Sequence, residues 1–211
     1  MGVIRFPTER RLQAAARAGN EAAAAAQTAP AAEPLAAGQA FAFMSMEIRR
    51  LPTTTSRIDG EIAARILNRC VLAALEILSK EKIPVDLAGT VLRPVIEATF
   101  PGHDGAARAA RAGLAIRQSV TKVQREVELE FHVFGAITVG TVTQAENGVT
   151  LTSGAPEQVA ARIREHAAPG QFLLSEPARE ACRDAVEVGA PMAVTIPGSN
   201  PVSAYAVTDA Q

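Results

Sequence analysis

Tryptophan is absent from this 211-residue chain, tyrosine occurs once, and aromatic residues make up only 4% of it. Cysteine is equally scarce: Cys70 and Cys182 stand alone, with no CxxC spacing and no Cys/His cluster. That excludes a disulfide scaffold and a structural zinc site. Three scattered histidines, His103, His132 and His166, give the same answer. Charge of one sign is also missing, because 21 Lys and Arg nearly balance 22 Asp and Glu, for a net charge of -1. A chain so balanced has no field for gripping phosphate backbones, so the sequence predicts no nucleic-acid partner. No apolar run approaches the ~20 residues that span a bilayer. Near the N-terminus, Asn20 and Glu21 precede a run of only five alanines, too short for a signal peptide. The expectation is a cytoplasmic protein with no membrane partner.

What is present is apolar mass: 48% of residues are hydrophobic and mean hydropathy is +0.11, which excludes global disorder. Alanine supplies 43 residues, 15 of them in the first 40. Thr8 can cap a helical stretch over 10–18, but Phe6 and Leu12 are its only large apolar side chains. Residues 27–38 shift to Ala, Pro, Glu and Gly, the composition of a linker. The chain therefore divides into a flexible or helical extension, residues 1–38, and a folded domain, residues 39–211.

Within the domain, 40–48 (AFAFMSMEI) reads as a buried strand. Asp59 can cap a helix running to Lys80, on the spacing of Ile62, Ile66, Leu67, Leu75 and Leu78. Two short strands over 85–100, a helix over 106–122 and a long strand over 127–142 follow. Glu126, Glu128 and Glu130 would share one solvated face of that last strand. The arginines Arg108, Arg111 and Arg117 would form the second helix's exposed face. Asn147-Gly148 predicts a hairpin over 141–151. A helix over 156–166, a strand over 171–174, a short helix over 176–182 and two strand pieces at 192–196 and 202–207 close the chain. This order predicts an α+β fold: a ferredoxin-like βαββαβ sandwich with its helices on one sheet face. The segment 133–142 (VFGAITVGTV), with Phe43, Met44 and Met46, offers more apolar surface than two helices cover, which predicts an association surface.

Among catalytic signatures, the GxxxxGKS/T phosphate loop, the GxSxG elbow and the HExxH helix are all missing. One segment, 152–176 (TSGAPEQVAARIREHAAPGQFLLSE), resembles the C-terminal signature of class III adenylate and guanylate cyclase catalytic domains. There a glycine turn leads to a helix carrying Asn-x-Ala-x-Arg, then to a loop and strand reading Ala-x-Pro-Gly-Gln-Ile-Leu-Val-Ser. Four further segments line up in order: 43–48 (FMSMEI), 95–100 (VIEATF), 136–140 (AITVG) and 201–207 (PVSAYAV). The resemblance spans about residues 40 to 208.

What the resemblance implies about chemistry is set by its departures. Family enzymes hold two divalent metals on two aspartates, and these positions carry Ser45 and Pro94 here, with Arg93 in place of the preceding glycine. Neither side chain replaces a carboxylate. The base-reading lysine and aspartate align with Thr90 and Leu151, and the ribose-orienting asparagine with Gln158. The transition-state arginine survives as Arg162, four residues on. The implied protein is a catalytically inactive cyclase-like domain of intracellular signalling, without cofactor, acting as a homodimer or with a related domain. Two alternatives stay open. It could be an enzyme subunit donating Arg162 and Gln158 to a partner that supplies the Mg or Mn ligands, or it could be a nucleotide sensor without turnover.

Overall fold

The computed structural model describes residues 38–51, 60–127, 130–144, 150–153, 155–196 and 200–210. Residues 1–37 of the extension, the Asp59 cap, Glu128 and the Asn147-Gly148 turn lie outside these residues.

A nearly unbroken apolar run makes β1 (Ala40–Arg50) a buried inner strand of the sheet. Its even positions, Ala42, Met44, Met46 and Ile48, are fully buried in the main core. Antiparallel neighbours flank it: β3 (Arg93–Pro101) on one side and β4 (Phe131–Gln144) on the other. β2 (Val85–Thr90) closes one edge through a tight hairpin with β3. Beyond β4 lie β6 (Gln171–Ser175), which runs parallel to it, then β8 (Val202–Ala210) and β7 (Val186–Val194). β5 (Thr150–Ser153) pairs with the far end of β4, completing an eight-stranded sheet. The order β2-β3-β1-β4 is that of the ferredoxin-like unit.

Two long helices cover one face. α1 (Gly60–Lys80) lays down a buried stripe including Ala63, Leu67, Val71, Ala74 and Leu78, whose spacing is helical. α2 (Gly105–Val127) is built from small residues where it meets the sheet, Ala106, Ala109, Ala110 and Gly113. Its closeness has a reason in one ring. A Cβ at Gly113 would come within 2.9 Å of the Phe172 ring and one at Gly135 within 2.2 Å, so Phe172 fills the space both glycines leave.

The expectation of helices on one face is corrected by α3 (Pro156–Glu165), which lies on the other. Its Ala160 and Ile163 pack with Phe41, Phe43, Phe134, Ala136 and Leu173 in a second core. The physical cause is that β1, β4 and β6 are apolar on both faces, so each face needs cover. The short α4 (Glu176–Ala181) returns to the first face, burying Ala178, with Ser175 as its N-cap. The long strand is also shorter than expected. α2 runs on to Val127, placing Glu126 on a helix in an ion pair with Arg69 at 2.8 Å, and Glu130 is an exposed residue before β4. Of the three arginines of α2, Arg111 is exposed, whereas Arg108 pairs with Glu81 and Arg117 reaches the carbonyl of Thr208. Finally, the apolar surplus expected of 133–142 is absorbed within the chain. Val133, Phe134, Ala136 and Ile137 are at most 3% exposed, as are Met44 and Met46, and Phe43 is at 6%.

Candidate functional site

The odd-numbered face of β1, half covered by α3, is where the sequence placed its chemistry. Ser45 is completely buried there. Cross-strand register puts Glu97 beside it on β3 and Ala136 beside it on β4, while Asp86 on β2 stands next to Glu97. Two residues along β1, Glu47 is 7% exposed and accepts a hydrogen bond from Arg93 Nε at 2.7 Å. That bond, with the charge of Glu47, pushes the Arg93 guanidinium above its ordinary pKa. Further along, Arg49 stacks its guanidinium 3.9 Å from the centre of the Phe134 ring.

The serine hydroxyl is not free. Arg164, near the end of α3, donates a hydrogen bond from Nη1 to Ser45 Oγ. α3 is held in place for this by Thr138, a buried residue of β4 whose hydroxyl donates to the carbonyl of Pro156 at 2.9 Å. Arg164 lies one helical turn after Ala160, on the stripe that α3 buries. Sequence reasoning missed it because a motif pointed to Arg162. Its signal was the interruption of the Ala160, Ile163, Ala167 stripe by a charge.

Gln158 and Arg162 lie on the opposite side of α3, exposed to solvent. Arg162 forms a surface ion pair with Glu165 at 3.3 Å, and its backbone carbonyl meets His166 Nδ1 at 3.0 Å. Pro94 shares strand parity with the buried Ile96 and Ala98, so it belongs to the α1/α2 face, not the Ser45 face. Arg93 is the hairpin residue that reaches the Ser45 face. Thr90 ends β2 opposite Arg93, while Leu151 pairs with Thr143 in β5, so β3, β1 and β4 lie between them. The chain thus groups Ser45 with Arg164, and Glu47 with Arg93. It does not bring Gln158 and Arg162 onto Ser45, nor Thr90 to Leu151.

The donor set does not fit a divalent metal. A serine already bonded to a guanidinium and a proline ring on the other face offer no ligand pair. Among the described residues no three His, Cys, Asp or Glu side chains converge to hold an ion. A separate open cavity of about 360 Å³ lies at the start of β1, lined by Phe41, Gly102, Val139 and Thr141, with His103 as its one titratable side chain. Cys70 and Cys182 are both free and buried, and burial pushes each thiol up to about 11, which leaves them unreactive at neutral pH.

Comparison with solved structures identifies the architecture as that of class III nucleotide cyclase catalytic domains. The chain is similar to the guanylyl cyclase Cya2, at TM-score 0.63 and 18% identity over 83% of this chain and 96% of that one. Similarity to the adenylyl cyclase CyaB from P. aeruginosa is at TM-score 0.66 and 16% identity, over 82% and 95% of the two chains. A dimeric form of the guanylyl cyclase domain of the RhoGC fusion protein, from the aquatic fungus Blastocladiella emersonii, matches at TM-score 0.56 and 15% identity, over 82% and 98%. No protein-family model matches the sequence, and no curated protein matches it. The chain therefore has a cyclase-like domain fold. Among the described residues no helix is long and apolar enough to cross a membrane.

Proposed function

We propose that residues 39–211 are a catalytically inactive cyclase-like domain that acts by association, with residues 1–38 as an appended segment. The observation that carries this reading is Ser45. It is buried, uncharged and engaged by Arg164, at the strand position where a metal carboxylate would be required. Metal catalysis of phosphoryl chemistry needs anionic ligands that hold the ion and let it polarise the reacting oxygens. A guanidinium at that place repels the ion. Pro94, on the opposite face and without a ligating side chain, supplies no second ligand.

Such a domain would pair with a second copy or a related domain in intracellular signalling. The RhoGC cyclase domain of this fold is described both as a dimer and as a monomer. Here the uncovered part of the Ser45 face and the β2–β3 hairpin tip, where Val91 and Leu92 are 43% and 52% exposed, form the surface for a mate.

The outward placement of Gln158 and Arg162 favours a second reading, in which this chain donates both to a partner that holds the metal ligands. Incubating the purified chain with ATP or GTP and Mg²⁺ or Mn²⁺ separates the two. No cyclic nucleotide should form from the chain alone. Metal-dependent product above an Arg162→Ala control overturns the inactive reading. Product that arises only with a related cyclase domain, and is lost with Arg162→Ala, establishes the second. Nucleotide binding without product would instead make the domain a sensor.

A further inference from the structure

Three carboxylates share the sheet face around Ser45. Asp86 and Glu97 are direct cross-strand partners, Glu97 is opposite Ser45, and Glu47 follows two residues along β1. Like charges on directly opposed strand positions are destabilising unless a cation relieves them. The chain supplies its own cations. Arg93 neutralises Glu47 at 2.7 Å, and Arg164 reaches across from α3 to the Ser45 hydroxyl. Among the described residues Arg164 forms no ion pair. Its named partner is a neutral hydroxyl, so its full charge is left to act on this face. Nor is its position an accident of a long side chain on a free surface. Arg164 is half-buried, Ser45 has no exposure, and the Thr138 to Pro156 hydrogen bond fixes the helix that carries the guanidinium.

We propose that Arg164 is an internal cation that makes this face refuse a divalent metal. The inference rests on the inactive reading above and deepens it. Metal binding here is blocked by a resident positive charge, and the lack of a carboxylate at Ser45 is only half of the cause. Two cations within contact distance repel strongly where solvent is thin, and a guanidinium cannot shed its proton to make room. A carboxylate added at Ser45 would therefore pair with Arg164, bidentate and charge-assisted, before it could ligate an ion.

The test uses the full chain and Mn²⁺ alone, read from the electron paramagnetic resonance signal of the free ion, with thermal melts in parallel. The unaltered chain and Ser45→Asp should both leave the Mn²⁺ signal undiminished, and Mn²⁺ should not raise either melting midpoint. Ser45→Asp/Arg164→Ala should deplete free Mn²⁺ with an affinity at least about tenfold above Ser45→Asp, and Mn²⁺ should raise its melting midpoint. Ser45→Asp/Arg164→Gln, which keeps more of the packing, should do the same and serves if the alanine variant does not fold. Equal Mn²⁺ uptake by Ser45→Asp and the double variants overturns the proposal. So does a lack of uptake by a folded double variant. Cyclic nucleotide formation by the unaltered chain is a separate result, which would strike the inactive reading and leave these measurements to stand or fall alone.

Discussion

Cys70 is fully buried and Cys182 is 2% exposed, so burial disfavours both thiolates, and the charge of Arg69 offsets only part of that at Cys70. Cys182 donates its thiol hydrogen to the carbonyl of Ala178 at 3.0 Å, and Cys70 sits in the stripe of α1. Desolvation raises both to about 11, above the ordinary thiol range of an unfolded chain. At neutral pH both states hold the protons and nothing is lost. As pH climbs from the ordinary thiol value towards about 11, the unfolded chain releases protons that the folded one retains, so stability falls. Denaturant melts between pH 7 and 11 should show that decline, and Cys70→Ala/Cys182→Ala should flatten it. A variant whose alkaline slope equals that of the parent would assign the loss to other groups. Arg164 shows the same principle at the candidate site: what a residue does depends on what surrounds it. Two arginines one turn-fraction apart on α3 differ in role because one faces solvent and the other faces Ser45.

At the scale of elements, Phe172 joins α2, β4 and β6. Because a Cβ at Gly135 would come within 2.2 Å of that ring, Gly135→Ala must displace either the ring or the strand. Overpacking of this kind costs about 1–3 kcal/mol, so a clear fall in denaturant midpoint is expected. Gly113→Ala, at 2.9 Å, should cost less. A Gly135→Ala protein as stable as its parent would show that the ring has room to turn aside. Legibility follows the same lines. Strand β1 could be read from its apolar and aromatic run and α1 from its period, since each has one dominant apolar pattern. The junction of α2 and β4 could not, because the alternation Val127, Leu129, Phe131 reads as strand while the helix before it still has hydrogen bonds to complete. The helix claims Val127. That α3 lies opposite α1 and α2 was likewise hidden, since its amphipathic stripe says only that one side is buried, not against which face.

For the whole molecule, the uncharged run 133–142 promised an exposed apolar patch, and the fold spends most of it internally by placing β4 between β1 and β6 with cover on both faces. The proposed association must then use what is left: the open Ser45 face over β2 and β3 and the Val91 and Leu92 hairpin tip. Light scattering at micromolar concentration should find a dimer burying on the order of 1,500 Å² or more in total. Val91→Asp/Leu92→Asp should shift it towards monomer without lowering the melting midpoint of the isolated chain. A strictly monomeric parent, alone and with related cyclase domains present, would leave ligand sensing as the better role.

Sequence by itself determined the order of elements, the ferredoxin-like class and the residue types at the positions that the resemblance aligns with metal ligands, because these depend on local periodicity and on identity at a position. Tertiary structure alone decided which face each of those residues meets. It set Pro94 on the α1/α2 side, turned Gln158 and Arg162 to solvent, and brought Arg164 across 119 positions of chain to the Ser45 hydroxyl. The physical reason is that a side chain's electrostatic surroundings come from strands and helices far away in sequence, and no local pattern records them.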